Sequence, residues 1–298
     1  MKIDRQKIVK ITVKISATAV VVAAITLFVL RSVYAISLFN GLSEKLSQSG
    51  WAQADTDSFM QGGEVLTYEA GYLFFKIGSV RMQVLGKTIY DGVPAYHVRA
   101  YIDSYSGIPF VNLHAMYDTY EDANSFICLF TSNTQKDGDD SVYTSYHFEF
   151  SKKIMDWQQR KNGKLTEEVK IPLDKQYTDG LSFFYYIREA SRKAAGMRTK
   201  LSVPIVIDTV RSKVEMTINE KKESCDVTAF DYPLEAYKMS GHMDFTGFFG
   251  VTGNFTGWMS ADTADVPLKG NLSVIIGSVV VKLKEAKRAG WIPPRSND

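Results

Sequence analysis

One stretch of the sequence, Asp179–Gly196 (DGLSFFYYIREASRKAAG), is typical of a helix, and it interrupts a chain that otherwise alternates between apolar and polar residues. Thr178 or Asp179 can cap the start of this helix by accepting free backbone amide hydrogens. Gly196 suits its end, because glycine readily adopts the left-handed conformation that stops many helices. The sequence therefore predicts one main internal helix, over residues 179–196, between two blocks of strands.

Alternation of apolar and polar residues indicates the strands, because successive side chains of a strand point to opposite faces. In Glu64–Phe75 every second residue from Leu66 to Phe74 is apolar or aromatic, which predicts one continuous strand. Leu201–Asn219 and Leu272–Lys284 are interpreted as single long strands in the same way. Many strands separated by turns predict a mainly β fold, either a curved antiparallel sheet or a barrel-like one, around the helix.

The composition favours the same fold class, since sixteen Tyr and seventeen Phe suit half-buried pleated surfaces. With 45% hydrophobic and 23% charged residues, the chain is globular, not disordered. Its net charge of +2, with basic residues spread among nearly as many acids, argues against a dedicated nucleic-acid binder. A bilayer-spanning barrel is also disfavoured, because lysines and arginines recur among the strands and no lipid-facing apolar band is evident.

The N-terminus indicates the compartment. Five basic residues between Lys2 and Lys14 precede an uncharged, mostly apolar run, Ile15–Leu30, and that order is typical of an export signal or a signal anchor. Signal peptidase can accept the small-residue pattern that ends at Ala35, whereas Arg31 and the apolar residues after it favour a retained, tilted anchor. We expect an N-terminal apolar helix that contacts the inner membrane, and a protein that is periplasmic or anchored facing the periplasm.

These elements divide the chain into four parts. Residues 1–35 are predicted to be the signal peptide or anchor, and residues 36–62 a connector that ends at Gly62-Gly63. Residues 63–288 are predicted to form the β-barrel-like domain. Residues 289–298 contain Pro293 and Pro294 and are predicted to be a mobile tail.

Motifs of known enzyme and metal chemistry are missing from the sequence. The four histidines are scattered, without the spacing of a metal site, and there is no GxSxG nucleophile elbow. Cys128 and Cys225 lie far apart, so they either form a disulfide in an oxidising compartment or are buried separately. We expect a non-enzymatic protein without cofactor or metal, although carboxylates that converge only in space would leave no such spacing.

Four consecutive aromatic residues lie within the predicted helix. Either these rings pack against the sheet as a plug, or they line a cavity for an apolar ligand such as a lipid chain, with an arginine at its rim. The candidate ligand-binding residues are Phe183, Phe184, Tyr185, Tyr186, Arg188, Tyr68, Tyr72 and Trp258.

Several short motifs follow one another in order along residues 63–284. They are Gly63-Glu64-x-Leu66-x-Tyr68, Lys76–Val80, Tyr117–Tyr120, Asp179–Ser182 with Tyr185-Tyr186-x-Arg188, Cys225, Trp258-Met259-Ser260-x-Asp262, Val266-Pro267 and Gly277–Val279. Together they resemble the exported bacterial family called domain of unknown function 3108. One departure is Ala264-Asp265, because the family often has a basic residue before Val-Pro.

The resemblance implies a cell-envelope protein of Gram-negative bacteria with a curved β-sheet or barrel-like fold and no established activity. By analogy with periplasmic carriers, the leading hypothesis is a non-enzymatic protein that binds a lipid or a lipoprotein acyl chain between sheet and helix. One alternative is an envelope assembly factor with a protein partner, which requires an exposed apolar patch or an unpaired edge strand. The other is an envelope hydrolase whose carboxylates converge in a cleft.

Overall fold

The computed structural model describes residues 59–108, 112–194, 196–245, 251–274 and 277–297, and the predicted signal or anchor and most of the connector lie outside these ranges. The described elements are β1 (Val65–Tyr72), β2 (Phe75–Tyr90), β3 (Val93–Ser104), β4 (His114–Asp122), β5 (Cys128–Asp137), β6 (Asp140–Glu149), β7 (Ile154–Lys161), β8 (Lys164–Pro172), α1 (Gly180–Ala194), β9 (Thr199–Ile207), β10 (Val210–Cys225), β11 (Leu234–Met243), β12 (Val251–Ser260), β13 (Pro267–Val274) and β14 (Ser278–Lys287).

All of these strands belong to one antiparallel sheet, in the order β8-β7-β6-β5-β4-β3-β2-β1-β14-β13-β12-β11-β10-β9. The sheet consists of two meanders, one before α1 and one after it, which join where β1 pairs with β14. The prediction of a mainly β fold, with a curved antiparallel sheet and one main internal helix, is therefore confirmed.

The chain between β8 and α1 is attached to the edge strand β9. The amide of Thr178 donates to the carbonyl of Pro204 (3.1 Å), and the amide of Val206 donates to the carbonyl of Thr178 (2.9 Å). Across the same junction, the hydroxyl of Tyr146 accepts a hydrogen bond from the amide of Asp208 at 3.0 Å. These bonds attach the segment that leads into α1 to β9, and the β9–β10 turn to β6.

Helix α1 lies inside the curve of the sheet. Asp179 caps it, because its carboxylate accepts hydrogen bonds from the amides of Leu181 (3.1 Å) and Ser182 (3.0 Å). Leu181 and Tyr185 join an apolar cluster built mainly from β1–β3 and β11–β14. Phe183 and Ile187 join a second cluster from β9–β12. The helix therefore holds the two halves of the sheet together by burial of its apolar side chains.

The two cysteines are both free and both buried. Cys128 belongs to a third apolar cluster around β5–β8, whereas Cys225 belongs to the cluster that contains Leu181. Of the two alternatives, separate burial is therefore the one observed.

The prediction of one strand over Glu64–Phe75 is wrong. Strand β1 ends at Tyr72, which pairs with Phe75 across a two-residue loop, Leu73–Phe74. Leu73 adopts φ +54°, so the chain turns there without a glycine, asparagine or proline. Because the two loop residues are themselves apolar, the alternating pattern continues through the turn and does not predict it.

The two other long-strand predictions are also wrong. Leu201–Asn219 divides into β9 and β10 at a turn that begins with Asp208, at φ +52°. Leu272–Lys284 divides into β13 and β14 before Ser278, where Gly277 adopts φ +83°. In both cases one residue in the left-handed region reverses the chain within a continuous apolar pattern.

The C-terminal segment, predicted to be a mobile tail, lies along the start of β11. The amide of Glu235 donates to the carbonyl of Pro294 (2.9 Å), and the amide of Ser296 donates to the carbonyl of Pro233 (3.0 Å). The indole of Trp291 donates to Asp262 at 2.8 Å. These bonds attach residues 291–296 to the wall of the domain.

Candidate functional site

Arg188 is the centre of the most connected polar group in the interior. Its side chain has 0% exposure, and its guanidinium donates to both carboxylate oxygens of Glu64, at 2.7 and 3.1 Å. The other bonds go to three carbonyls, those of Phe59 (3.2 Å), Ala264 (3.0 Å) and Asp265 (3.1 Å). One side chain thereby ties α1 to the segment before β1 and to the connection between β12 and β13.

A second cation shares the carboxylate of Glu64. Arg288, just after β14, forms an ion pair with Glu64 and donates to the carbonyl of Phe59 at 2.9 Å. Burial acts to lower the pKa of Arg188, but attraction to Glu64 outweighs it and holds that pKa above its ordinary value. The group therefore remains charged, and it is stable only while its members stay together.

Asp265 lies beside this group, and one of its two carboxylate oxygens, Oδ2, has no hydrogen-bond partner among the described residues. The residue is buried, at φ +43°. Burial raises the pKa of Asp265 to about 7, against the opposing effects of Ser191 and Arg188. This carboxyl is thus protonated more readily than an ordinary aspartate.

A second buried acid lies near the N-terminal half of α1. Glu121 on β4 has 0% exposure, and neither of its carboxylate oxygens accepts a hydrogen bond within the described part of the chain. Burial, and then the charge of Asp179, raises the pKa of Glu121 well above its ordinary range. Burial likewise raises the pKa of Cys128, which leaves that thiol unreactive. Glu121 lies near the start of α1 and Asp265 near its C-terminal half, and neither lines the grooves described below.

Three of the eight predicted ligand-binding residues come together around the ion pair. The ring of Tyr185 lies 5.7 Å from the guanidinium carbon of Arg188. Tyr68 is buried in the same apolar cluster as Tyr185, and its pKa is raised by burial against the attraction of Arg188. Arg188 was expected at a cavity rim, whereas the structure places it in the centre of the packed interior.

Of the other five predicted residues, Trp258 belongs to the apolar cluster that contains Tyr185, and the remaining four lie outside it. Phe183 is buried in the second apolar cluster, while Phe184 is 40% exposed and Tyr186 is half-buried. Tyr72 ends β1, beside Gly277. Trp258 donates to Glu223 at 2.5 Å, and its ring contacts the ammonium groups of two lysines at 4.7 and 5.3 Å. The eight side chains therefore do not line a common cavity.

Two open grooves mark the described surface. The first, of about 400 Å³, lies between the C-terminal half of α1, β9 and the β4–β5 connection, and its apolar residues include Phe126, Tyr186, Ala190 and Leu201. The second, of about 670 Å³, runs across β9–β12 and is lined mainly by polar side chains. Within the described ranges, no cluster of three His, Cys, Asp or Glu side chains is arranged to hold a metal. No helix in those ranges has the length and apolar character needed to cross a membrane.

The family model described as "Protein of unknown function (DUF3108)" matches residues 67–284. The chain belongs to this family. The resemblance inferred from the short motifs is thereby confirmed, and the match covers nearly all of the fourteen-stranded sheet together with α1. Several motif residues, such as Glu64, Tyr185 and Arg188, are those that meet in the interior.

Three solved structures are similar to this DUF3108 chain. A beta-barrel-like protein of domain of unknown function DUF1849 from Brucella abortus has a TM-score of 0.49 and 9% identity, covering 76% of this chain and 97% of that one. A candidate lipoprotein from Parabacteroides distasonis has a TM-score of 0.32 and 12% identity, with coverages of 79% and 100%. A candidate exported protein with a YmcC-like fold from Bacteroides fragilis has a TM-score of 0.31 and 9% identity, with coverages of 76% and 96%. No curated protein matches the chain.

Sequence reasoning missed two features of the DUF3108 domain. Glu64, Asp265 and Arg288 were not among the candidate residues, although Glu64 and Arg188 are both motif positions. The loop between β1 and β2 was read as part of a strand, so its exposed apolar side chains were not anticipated. The signal that could have marked Glu64 was its place in the motif Gly63-Glu64-x-Leu66-x-Tyr68.

Proposed function

We propose that this DUF3108 protein is a non-enzymatic cell-envelope factor that acts through its outer surface, with α1 as a fixed plug. The proposal rests on the side chains that occupy the interior of the domain. Leu181, Phe183, Tyr185 and Ile187 fill the space between helix and sheet, and Arg188 fastens the helix to Glu64.

Release of α1 would require Arg188 and Glu64 to separate. Breaking a buried ion pair by loss of one partner costs about 3–5 kcal/mol. The same movement would expose Tyr185, which adds the cost of returning a large aromatic side chain to water. A lid that admits a ligand needs a smaller barrier to opening, so the contacts favour a plug over a lid.

The surface offers one prominent contact. Among the described residues, Leu73, Phe74 and Phe75 form a group of neighbouring exposed large apolar side chains at the β1–β2 loop. The edge of β8, by contrast, carries exposed charges such as Lys164 and Glu167, which protect an edge strand from pairing with another chain. We therefore place the working contact at the β1–β2 loop and not at the sheet edge.

Site-specific photo-crosslinking in intact cells tests this proposal. A photoreactive phenylalanine analogue would replace Phe74, and in separate variants Ala190 in the first groove or Ile89, which is exposed at the far end of β2. We expect adducts from position 74 and none above background from positions 89 and 190. Mass spectrometry of each adduct identifies the captured molecule as lipid or as one defined protein.

A second candidate function is the carriage of an apolar or amphipathic ligand. The observation that favours it is the groove of about 400 Å³ beside Tyr186 and Leu201, whose volume is within the range of small-molecule sites. In that case position 190 would capture a lipid-sized molecule and position 74 would capture nothing. That pattern would contradict the surface proposal and support a carrier.

A further inference from the structure

The β1–β2 loop exposes three consecutive large apolar side chains, Leu73, Phe74 and Phe75, which we call the hairpin tip. Their exposures are 75%, 85% and 57%. The rings of Phe74 and Phe75 lie 4.9 Å apart at an interplanar angle of 49°, so they form one apolar unit. Single exposed apolar residues need no explanation, but a contiguous group of this kind indicates an interaction site.

The backbone of the hairpin tip is as unusual as its side chains. Tyr72 pairs with Phe75, so Leu73 and Phe74 alone make the turn. Two-residue hairpin loops favour Asn-Gly or Asp-Gly, because their central residues require positive φ. Leu73 nevertheless occupies φ +54°. Leu73 is therefore unfavourable in two ways: its apolar side chain is exposed to water, and its backbone adopts a conformation that suits glycine or asparagine. Two such conflicts at one position indicate a function there.

Basic residues surround the base of the hairpin tip. Lys76 directly follows Phe75 and pairs with Glu69 at 2.8 Å. Lys284 also approaches Glu69, at 3.7 Å, and Lys282 is directly opposite Glu69 in the β1–β14 register. Two of these lysines thus pair with one glutamate, and the third faces it across the strands. We call Lys76, Lys282 and Lys284 the basic collar.

The collar begins directly below the tip, at Lys76 opposite Gly71, and continues along β14 through Lys282 to Lys284. In the β1–β14 register, Tyr72 is opposite Val279 and Glu69 is opposite Lys282. Three residues of strand separate these pairs, which corresponds to roughly 10 Å at the usual rise per residue. An apolar, aromatic end with cations below it, one of them at this depth, matches the change from acyl chains to charged headgroups at a membrane surface.

We propose that the hairpin tip inserts into the interfacial region of an anionic lipid bilayer, with the basic collar against the headgroup phosphates. The inference rests on the proposed function only in that the working contact lies on the outer surface. A convex tip with flanking lysines suits a lipid surface better than a protein partner, whose contact patch is usually broad and poor in lysine. The predicted export signal places the chain beside such membranes.

Depth-sensitive fluorescence of the full-length chain tests this inference. Phe74→Cys would carry a polarity-sensitive label, which is selective because Cys128 and Cys225 are buried. With vesicles of phosphatidylethanolamine and phosphatidylglycerol, we expect a blue shift and quenching by nitroxide-labelled lipid. The matched control is Ile89→Cys, which is 64% exposed at the opposite end of β2 and should show neither effect.

Both labelled variants contain the N-terminal apolar run, so membrane contact through that run affects both signals equally. The difference between the two labels therefore reports the hairpin tip. Adding Lys76→Glu to the labelled chain should weaken the vesicle signal by roughly tenfold, and vesicles of phosphatidylcholine alone should give a weaker signal than the anionic ones. No change at position 74 on addition of vesicles would overturn the inference. A shift that needs no lipid and grows with protein concentration would also overturn it, and would indicate contact between copies.

Failure of this inference is distinguishable from failure of the proposed function. If position 74 crosslinks one defined protein in cells while the vesicle assay is negative, the membrane inference is wrong and the surface proposal stands. If position 190 captures a lipid and position 74 nothing, the surface proposal is wrong.

Discussion

Replacement of Arg188 with methionine is expected to lower the free energy of unfolding by about 3–5 kcal/mol, because it removes one partner of a buried ion pair. Glu64 would retain Arg288 alone. The carbonyls of Ala264 and Asp265 would each lose the hydrogen bond donated by the guanidinium. Equilibrium denaturation in urea, followed by far-ultraviolet circular dichroism, measures the change.

Arg192→Met is the matched control, since Arg192 lies one turn further along α1 and pairs with Glu189 at the surface. Its substitution should cost less than about 1 kcal/mol. The double variant Arg188→Met with Glu64→Gln should be less destabilised than the sum of its single variants, because the second change removes a carboxylate that has already lost one of its two cations. Equal costs for Arg188→Met and Arg192→Met would contradict the central role of Arg188.

The second large effect distinguishes the two faces of α1. Tyr185 is 1% exposed in the interior, and its neighbour Phe184 is 40% exposed. Tyr185→Ala should lower the free energy of unfolding by about 3–5 kcal/mol, as large aromatic truncations in cores do. Phe184→Ala, which removes a ring of similar size from the same helix, should cost under about 1 kcal/mol.

The same urea titrations measure both variants. Because the residues are adjacent, their difference reports burial and not helix propensity. If Phe184→Ala were the more costly change, the aromatic face of the helix would be in contact with something other than the sheet, and α1 would not be the plug described above.

Much of the fold was predictable from the sequence because its signals are local. Asp179 caps a helix whose observed bounds, Gly180–Ala194, differ from the predicted ones by one or two residues. Alternating residues predicted the sheet. The turn at Leu73–Phe74 was not predictable, because neither residue has a preference for positive φ and the apolar pattern runs through it.

The interior was harder to predict, because its partners are distant in sequence. Arg188 and Glu64 are 124 residues apart, and no spacing rule connects them. Four consecutive rings were grouped as one candidate site, but a helix turns about 100° per residue. Phe183 and Tyr185 consequently enter different clusters, whereas Phe184 is exposed.

Native-state hydrogen exchange of the full-length protein tests the plug most directly. If α1 is fixed, the backbone amides of its last three turns should exchange with the same free energy of opening as those of β1 and β14, the strands that join the two meanders. If α1 exchanged through a local opening whose free energy is several kcal/mol lower than that of the strands, the plug would be contradicted and α1 would be a lid.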